Sequence, residues 1–224
     1  MGPWPCPLMV RQRRPLYVTG FNTLRHTAAR GTMGGLSERR KSIRAEMIAH
    51  LRSRSASPIS PDVVGQLWVL LQNAPAVLVY CDCQGEFPTG TIRAFLQARN
   101  IPTYVPRIAG PGLLDWVSCL EENLRLGRFG IPEPNGPAVA ALPADLWVLA
   151  PMVAFGPHGE RLGYGGGYFD RFFDAYRRDH GTWPRRIGLA WSDQGPISFP
   201  VAEHDVPMEG VMTEVGWAVA PPPK

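Results

Sequence analysis

The sequence predicts an α/β protein with three layers, in which helices cover both faces of a mostly parallel sheet. Short apolar segments bounded by turn residues alternate with segments whose apolar residues recur at helical spacing. The segment 145–155 is almost continuously apolar, which is typical of a strand buried on both faces. Because parallel strands need crossover connections, and because we find no internal repeat, this alternation favours a parallel sheet over an antiparallel one.

The composition predicts one domain with a sizeable core. The chain has 224 residues, of which 45% are apolar, and no run of eighteen apolar residues that would indicate a membrane-spanning helix. The net charge is +4, but residues 1–37 hold five arginines and no acidic residue. The remainder is therefore close to neutral, and the basic pI is no argument for nucleic-acid binding.

Residues 1–36 are rich in proline, arginine and glycine and show no apolar periodicity. We expect them to be a disordered N-terminal extension, followed by a single domain over 37–220. The stretch lacks the apolar core of a secretory signal. Its arginine-rich, acid-free character resembles a transit peptide, but an over-long reading frame with translation starting near Met33 is the favoured explanation.

The four cysteines, Cys6, Cys81, Cys83 and Cys119, show no Cys-x-x-Cys spacing. Cys81 and Cys83 would point the same way from a strand, with no pair of histidines nearby to complete a metal site. We therefore expect reduced, structural cysteines and a cytoplasmic location.

The elements follow in order from local signals. Ser37 is a candidate N-cap, Ser60-Pro61 is typical of a helix start, and Gly181 of a helix end. The phenylalanines at 169, 172 and 173 and the tyrosine at 176 make one apolar helix face. The predicted helices span 37–54, 61–71, 91–99 and 168–180, and the predicted strands span 76–81, 101–106, 115–120, 145–155, 186–191 and 215–220.

Two arginines lie on the inward stripe of the first helix. Steps of 100° place Arg40 and Arg44 in line with Met47 and Leu51. A buried guanidinium group needs an anionic partner. That partner is either a carboxylate of the domain or a bound polyphosphate, and the sequence does not decide between them.

The glycine-rich stretch Gly156–Gly167 is the strongest signal for a site, since six of its twelve residues are glycine. A strand, a glycine loop and a helix together form a phosphate-binding arrangement, because free N–H groups of the loop and the first helical turn point at the anion. The stretch lacks the Gly-Lys-Ser/Thr that ends a P-loop. It also lacks the setting of a dinucleotide-binding fingerprint, which needs the first strand–helix turn and an acidic residue after the second strand. The alternative is a flexible surface loop.

Three acidic residues are further candidates. Glu86 follows the first strand, where ligands of open α/β sheets collect, although a solvated loop carboxylate would also fit. Asp170 begins the helix after the glycines, where a negative charge stabilises the helix dipole. Asp205 lies in a polar turn after His204.

Four segments in this order resemble the 5-formyltetrahydrofolate cyclo-ligase (5,10-methenyltetrahydrofolate synthetase) family. The family signature is similar to the run Arg161–Arg171, and the other three segments are Arg40–Arg44, Gly85–Thr89 and a C-terminal motif made of His204–Pro207 followed by Thr213–Gly216. It covers roughly residues 37–217 and implies a Rossmann-like sheet. It also implies a cytoplasmic enzyme, expected to be monomeric, that uses ATP and Mg²⁺ to convert 5-formyltetrahydrofolate to 5,10-methenyltetrahydrofolate through a phosphorylated formyl intermediate.

The resemblance also implies roles for individual residues. Arg161 and Tyr168 would be catalytic, and Asp170 and Asp205 would hold Mg²⁺. The residues implied for ATP are Arg40, Lys41, Arg44, Arg161, Leu162, Gly163, Tyr164, Gly165, Gly166, Gly167, Tyr168 and Phe169. The residues implied for the folate substrate are Cys81, Glu86, Tyr164, Gly165, Gly166, Gly167 and Tyr168.

The chain departs from the family pattern at several positions. Gly166 stands where some members carry lysine. Either Arg107, Arg128 or Arg171 supplies the missing charge, or the loop relies on its backbone N–H groups. Phe169 replaces a tyrosine, Arg40 stands where lysine is common, and the segment before Glu86 lacks an acidic pair. Two other functions stay open: a phosphosugar isomerase or CoA-transferase relative on a similar sheet, and a non-catalytic nucleotide- or folate-binding protein.

Overall fold

The computed structural model describes residues 33–55, 57–83, 85–119, 124–127, 132–203 and 205–222. Residues 1–32 of the N-terminal extension, for which we expected disorder, lie outside these described residues. Cys6, Arg128 and His204 lie outside them as well. Within the described residues the helices are α1 (Met33–Ser53), α2 (Pro61–Leu71), α3 (Gly90–Gln97) and α4 (Tyr168–His180). The strands are β1 (Val77–Val79), β2 (Thr103–Gly110), β3 (Leu113–Ser118), β4 (Leu124–Leu126), β5 (Pro132–Pro134), β6 (Trp147–Pro151), β7 (Ala154–Phe155), β8 (Arg161–Leu162), β9 (Arg185–Leu189), β10 (Gly210–Thr213) and β11 (Gly216–Val219).

Seven strands form one sheet in the order β11-β10-β9-β6-β1-β2-β3. Neighbours from β10 to β2 pair in parallel, whereas the two edge strands, β11 and β3, pair antiparallel with β10 and β2. The predicted mostly parallel α/β sheet is confirmed. The prediction missed β10 and gave no direction to β3, which follows β2 through a tight turn and so returns beside it.

Helices cover both faces of this sheet, as predicted. Alternate residues of β1 point to opposite sides, so Val77 and Val79 pack with buried residues of α1, α2 and α3, while Leu78 packs with Phe173 and the rest of the α4 side. All three β1 residues are fully buried, which explains why the strand is continuously apolar.

The helix boundaries confirm most of the capping signals. The Ser60 hydroxyl accepts a hydrogen bond from the Asp62 N–H at 3.2 Å at the start of α2, and Gly181 caps α4 in a left-handed conformation. The predicted start of α1 is wrong, because the helix begins at Met33 and Ser37 lies inside it. Nothing in the first turn explains this early start, since Gly34 and Gly35 are poor helix formers.

The single glycine loop expected between strand and helix is divided in two. Residues 156–160 turn a hairpin between β7 and β8, with the Gly156 N–H bonded to the Glu160 carbonyl at 2.9 Å. Only residues 163–167 connect to α4. None of the helices within the described residues combines the length and apolar character needed to span a bilayer.

Candidate functional site

The candidate site lies where the loops after β1, β6 and β9 meet at the carboxyl edge of the parallel strands. The Trp191 indole N–H, after β9, donates to the Gly85 carbonyl, after β1, at 2.9 Å. The Gln194 amide donates to the carbonyls of Met152 and Val153, after β6, at 2.6 and 2.9 Å. Parallel strands bring these loops to one edge, which is where open α/β sheets bind ligands.

Residues 163–167, which we call the glycine-rich loop, lead from β8 into the first turn of α4. Arg44 on α1 donates through Nε to the Gly163 carbonyl at 2.8 Å, and Arg171 donates through Nη2 to the Gly166 carbonyl. The backbone N–H groups of residues 164–167 donate to no group among the described residues. Unpaired amides at the start of a 13-residue helix, beside two cations, are suited to bind an anion.

Arg161 and Asp170 form an ion pair beneath the loop. Arg161 is only 7% exposed, and its Nη2 lies 2.6 Å from Oδ1 of Asp170. The Arg161 Nε is buried without a hydrogen-bond partner among the described residues. A buried guanidinium group with one carboxylate partner depends strongly on that partner for its stability.

Arg40 and Asp205 form a second ion pair. Arg40 Nη2 lies 3.1 Å from Oδ1 of Asp205, Nη1 contacts Oδ2, and Nη1 also donates to the Pro200 carbonyl at 3.2 Å. The sequence left open whether the inward arginines meet a carboxylate or a polyphosphate. In the structure, Arg40 meets a carboxylate and Arg44 meets a loop carbonyl.

The charge of Arg40 also acts on Arg44. Burial lowers the pKa of Arg44, the nearby Arg40 lowers it further, and Asp205 opposes this effect. The two arginines therefore repel each other across one side of the site, and an anion placed between them would relieve that repulsion.

Glu86 lies in a desolvated corner after β1. Its Oε2 accepts the Cys83 backbone N–H at 2.9 Å, and the Tyr164 hydroxyl of the glycine-rich loop also interacts with it. Burial raises the pKa of Glu86, against the effect of these donors. Tyr164 is 42% exposed, but its hydroxyl end is desolvated, and burial together with the Glu86 charge raises the pKa of Tyr164.

Cys83 shares this corner. Burial and the Glu86 charge raise the pKa of the Cys83 thiol to about 12, so it is a neutral thiol near pH 7. Within the described part of the chain, Cys81, Cys83 and Cys119 are thiols rather than members of disulfides.

The fit to a magnesium ion is partial. Within the described residues, no three His, Cys, Asp or Glu side chains are grouped as a metal site. Both Asp205 oxygens contact Arg40, whereas Asp170 uses Oδ1 for Arg161 and its Oδ2 accepts no hydrogen bond from a described residue. Mg²⁺ usually takes one or two carboxylates together with substrate phosphates. Of the two predicted carboxylates, Asp170 is therefore the one with an oxygen available to an ion that binds with a nucleotide.

The other predicted residues differ in how they face this site. Lys41 lies on the exposed side of α1 and pairs with Glu38 at 3.3 Å. Cys81 and Leu162 are buried. Tyr168 and Phe169 are half-buried in the first turn of α4, and Phe169 packs edge-on against Trp116 with ring centroids 6.2 Å apart.

Sequence reasoning missed several contributors. Trp191 and Gln194 hold the loops together, and no local pattern marks them. A cavity of about 190 Å³ lies between the β7–β8 turn and residues 197–199. The turn belongs to the predicted glycine-rich stretch, whereas no sequence pattern indicated Ile197, Ser198 and Phe199. We give more weight to the glycine-rich loop, because it combines unpaired amides with cations.

The fold and this loop define an α/β protein with a glycine-rich loop at a helix N-terminus, an arrangement suited to bind an anion. A family model described as the 5-formyltetrahydrofolate cyclo-ligase family matches residues 35–214. The chain belongs to this family, and it is therefore a ligase.

Individual proteins agree with this assignment. The probable 5-formyltetrahydrofolate cyclo-ligase of Caenorhabditis elegans is 30% identical over 172 residues, covering 72% of this chain and 82% of that protein. The mitochondrial 5-formyltetrahydrofolate cyclo-ligase of Arabidopsis thaliana is 38% identical over 209 residues, covering 79% of this chain and 72% of that protein. The structure of the Aquifex aeolicus 5,10-methenyltetrahydrofolate synthetase superposes on this chain with a TM-score of 0.67 at 23% sequence identity. The match covers 83% of this chain and 94% of that protein, which supports the fold.

Proposed function

We propose that this enzyme uses ATP to cyclise 5-formyltetrahydrofolate to 5,10-methenyltetrahydrofolate. The formyl oxygen attacks the γ-phosphorus, and the bond from that phosphorus to the β,γ-bridging oxygen breaks, so that ADP leaves. N10 of the folate then bonds to the formyl carbon and loses its proton. The carbon–oxygen bond breaks, and inorganic phosphate leaves with the former formyl oxygen.

The glycine-rich loop is proposed to hold the phosphate chain of ATP. Phosphoryl transfer needs positioning and charge neutralisation more than covalent chemistry from the protein. The unpaired N–H groups of residues 164–167 supply donors, and Arg44 and Arg40 supply positive charge on one side. Lys41 would join them from the exposed side of α1.

Glu86 is proposed to hold the pteridine ring of the folate. A carboxylate accepts hydrogen bonds from two neighbouring N–H groups, such as those of an aminopyrimidine edge. Its place between the Cys83 backbone and the Tyr164 hydroxyl puts it beside the loop proposed for ATP. The formyl group and the γ-phosphate would then meet between Glu86 and the glycine-rich loop.

Arg161 and Tyr168 are proposed as catalytic residues. Arg161 lies beneath the loop with its guanidinium group held by Asp170, so its charge is already oriented before the phosphoryl group moves. Tyr168 begins α4, and its hydroxyl would donate a hydrogen bond to the formyl oxygen that becomes phosphorylated.

Asp170 and Asp205 are proposed to hold Mg²⁺ with the nucleotide. When bound, the ion would neutralise the phosphate charge. Asp170 would offer its Oδ2, which accepts from no described residue, whereas Asp205 would become available only when Arg40 turns from the carboxylate to the nucleotide.

A cytoplasmic, monomeric enzyme stays our proposal. The three described cysteines are thiols, which is typical of proteins in a reducing compartment. The plant relative, however, has a name that places it in mitochondria.

The observation that carries the proposal is the glycine-rich loop, whose amides donate to no described residue while Arg44 and Arg171 donate to its carbonyls. The test mixes the protein, MgATP and 5-formyltetrahydrofolate and follows the absorbance of the methenyl product. We expect product only when all three are present, with one ADP formed per turnover. Gly165→Val is the control, because a side chain at this residue, with φ of 100°, would disturb the loop without touching the core.

Two results would contradict the proposal. ATP hydrolysis without folate, or folate turnover without ATP, would indicate a different enzyme on the same sheet. Tight binding of both ligands with no product would indicate a non-catalytic binding protein. An isomerase would need a general base at the loop, and residues 163–167 contain neither a carboxylate nor a histidine.

A further inference from the structure

Arg171 joins two segments that are far apart in the chain. Its Nε donates to the Gly112 carbonyl, in the turn between β2 and β3, at 3.0 Å. Its Nη2 donates to the Gly166 carbonyl in the glycine-rich loop. Its own backbone N–H donates to the Gly167 carbonyl at 3.1 Å, which places it in the first turn of α4.

Missing side chains create the space for this guanidinium group. A Cβ atom added at Gly112 would lie 2.2 Å from the Arg171 Nε, and one added at Gly167 would lie 2.9 Å from Nη1. Two glycines on different segments therefore enclose one side chain. An ordinary surface arginine does not require a glycine on two neighbouring segments to make room for its side chain.

The charge of Arg171 has no carboxylate partner among the described residues, unlike that of Arg161, Arg40 or Arg107. Arg171 and Arg44 instead hold the two ends of the glycine-rich loop, through Gly166 and Gly163. With these carbonyls engaged, the loop N–H groups, which donate to no other described residue, can meet an anion.

We propose that Arg171 is a positioning residue that fixes the glycine-rich loop for phosphate binding by bridging it to the β2–β3 turn. The planar fork of arginine reaches two carbonyls in fixed directions, which the single ammonium group of lysine does not. The β2–β3 turn thereby becomes part of the machinery that shapes the loop. The part concerning ATP rests on the proposed function; the part concerning loop position does not.

The first test measures the loop without any ligand. Tyr164 is an exposed chymotrypsin site inside the loop, so the rate of cleavage after Tyr164, mapped by mass spectrometry, reports how firmly the loop is held. We expect Arg171→Ala to raise this rate several-fold, and Arg171→Lys to raise it nearly as much. Arg178→Ala, on the exposed side of the last turn of α4, is the control and should cleave like the wild type.

The second test approaches the bridge from its other end. Gly112→Ala places a methyl group against the Arg171 guanidinium group and should reproduce the effect of Arg171→Ala. Gly181→Ala is the matched control: Gly181 has φ of 71°, close to the 75° of Gly112, but a Cβ atom there meets nothing within 4 Å. Any strain from positive φ is therefore shared, and only the contact with Arg171 differs.

The third test measures ATP binding by calorimetry, without turnover. We expect Arg171→Ala and Arg171→Lys each to weaken ATP binding about tenfold, the loss typical of one charge-assisted hydrogen bond. Wild-type cleavage in Arg171→Ala would overturn the proposal, and so would an Arg171→Lys variant that regains wild-type ATP affinity. If the wild type binds ATP but makes no methenyl product, the proposed function fails while the cleavage results still decide the role of Arg171.

Discussion

Arg40 on α1 pairs with Asp205, 165 residues further along the chain, with Nη1 donating to Oδ2 and Nη2 donating to Oδ1. The two side chains are 17% and 10% exposed. The first was predicted to bind ATP and the second Mg²⁺. In the structure, each of these two predicted ligand-binding side chains is engaged by the other.

Asp205→Asn should change ATP binding in opposite directions with and without Mg²⁺. Without the ion, the variant frees Arg40 and should bind ATP more tightly than the wild type. With the ion, it lacks a ligand and should bind ATP more weakly. Calorimetry with and without Mg²⁺ measures both signs, and Glu203→Gln, an exposed neighbour, controls for general charge. The same change in ATP affinity with and without Mg²⁺ would contradict the proposal that Arg40 turns from Asp205 to the nucleotide.

Asp170→Asn should destabilise the protein even without Mg²⁺, because it leaves the buried Arg161 charge unpaired. Removing one partner of a buried ion pair costs about 3–5 kcal/mol in the free energy of unfolding. Arg161→Met combined with Asp170→Asn should regain much of this loss. Denaturant unfolding of the two single variants and the double variant gives the coupling. Additive losses would show that the pair does not stabilise the fold.

Glu86→Gln should stabilise the protein at neutral pH and remove folate binding. Burial raises the pKa of Glu86 above its usual value of 4.5, so its ionised form opposes folding. This opposition is absent below pH 4.5, where the carboxyl is protonated in both states, and is complete above the folded pKa. The gain in melting temperature should therefore shrink on acidification. Glu46→Gln, exposed on α1, should show no such trend. A lower melting temperature for Glu86→Gln at neutral pH would contradict the buried-charge account.

Trp191→Phe should raise the KM for the folate and leave that for ATP unchanged. The change removes the N–H that holds the Gly85 carbonyl next to Glu86, but keeps a ring against Phe87, whose centroid lies 5.4 Å away. Losing one neutral hydrogen bond costs about 0.5–1.5 kcal/mol, so the rise should be a few-fold. Trp68→Phe on α2 is the control. Equal effects on both substrates would show that Trp191 supports the fold in general.

The sequence predicted those features that local periodicity controls. Apolar runs and capping residues such as Ser60 and Gly181 indicated most helices and strands, and their alternation indicated the parallel sheet. The β7–β8 hairpin was missed, because its two-residue strands are shorter than any periodicity can show. The start of α1 was misplaced, because a serine that could cap a helix can also lie inside one.

The site was predictable in its parts but not in its pairings. The glycines and Glu86 stand out by position in the chain, and Arg40 and Arg44 by their place on a helix stripe. Their partners, however, come from tertiary contacts over more than 100 residues, as in the bonds from Arg44 to Gly163 and from Trp191 to Gly85. No local pattern determines such contacts, so Asp205 could be predicted as a ligand but not as the partner of Arg40.

Transfer of the γ-phosphoryl group to the formyl oxygen is the central claim, and an oxygen label tests it most directly. The substrate is 5-formyltetrahydrofolate carrying ¹⁸O in its formyl group, converted with MgATP in unlabelled water. Mass spectrometry of the released inorganic phosphate should find one ¹⁸O atom per phosphate, because the formyl oxygen leaves as part of it. Unlabelled phosphate, with the ¹⁸O recovered in water, would show that ATP is hydrolysed without activating the formyl group.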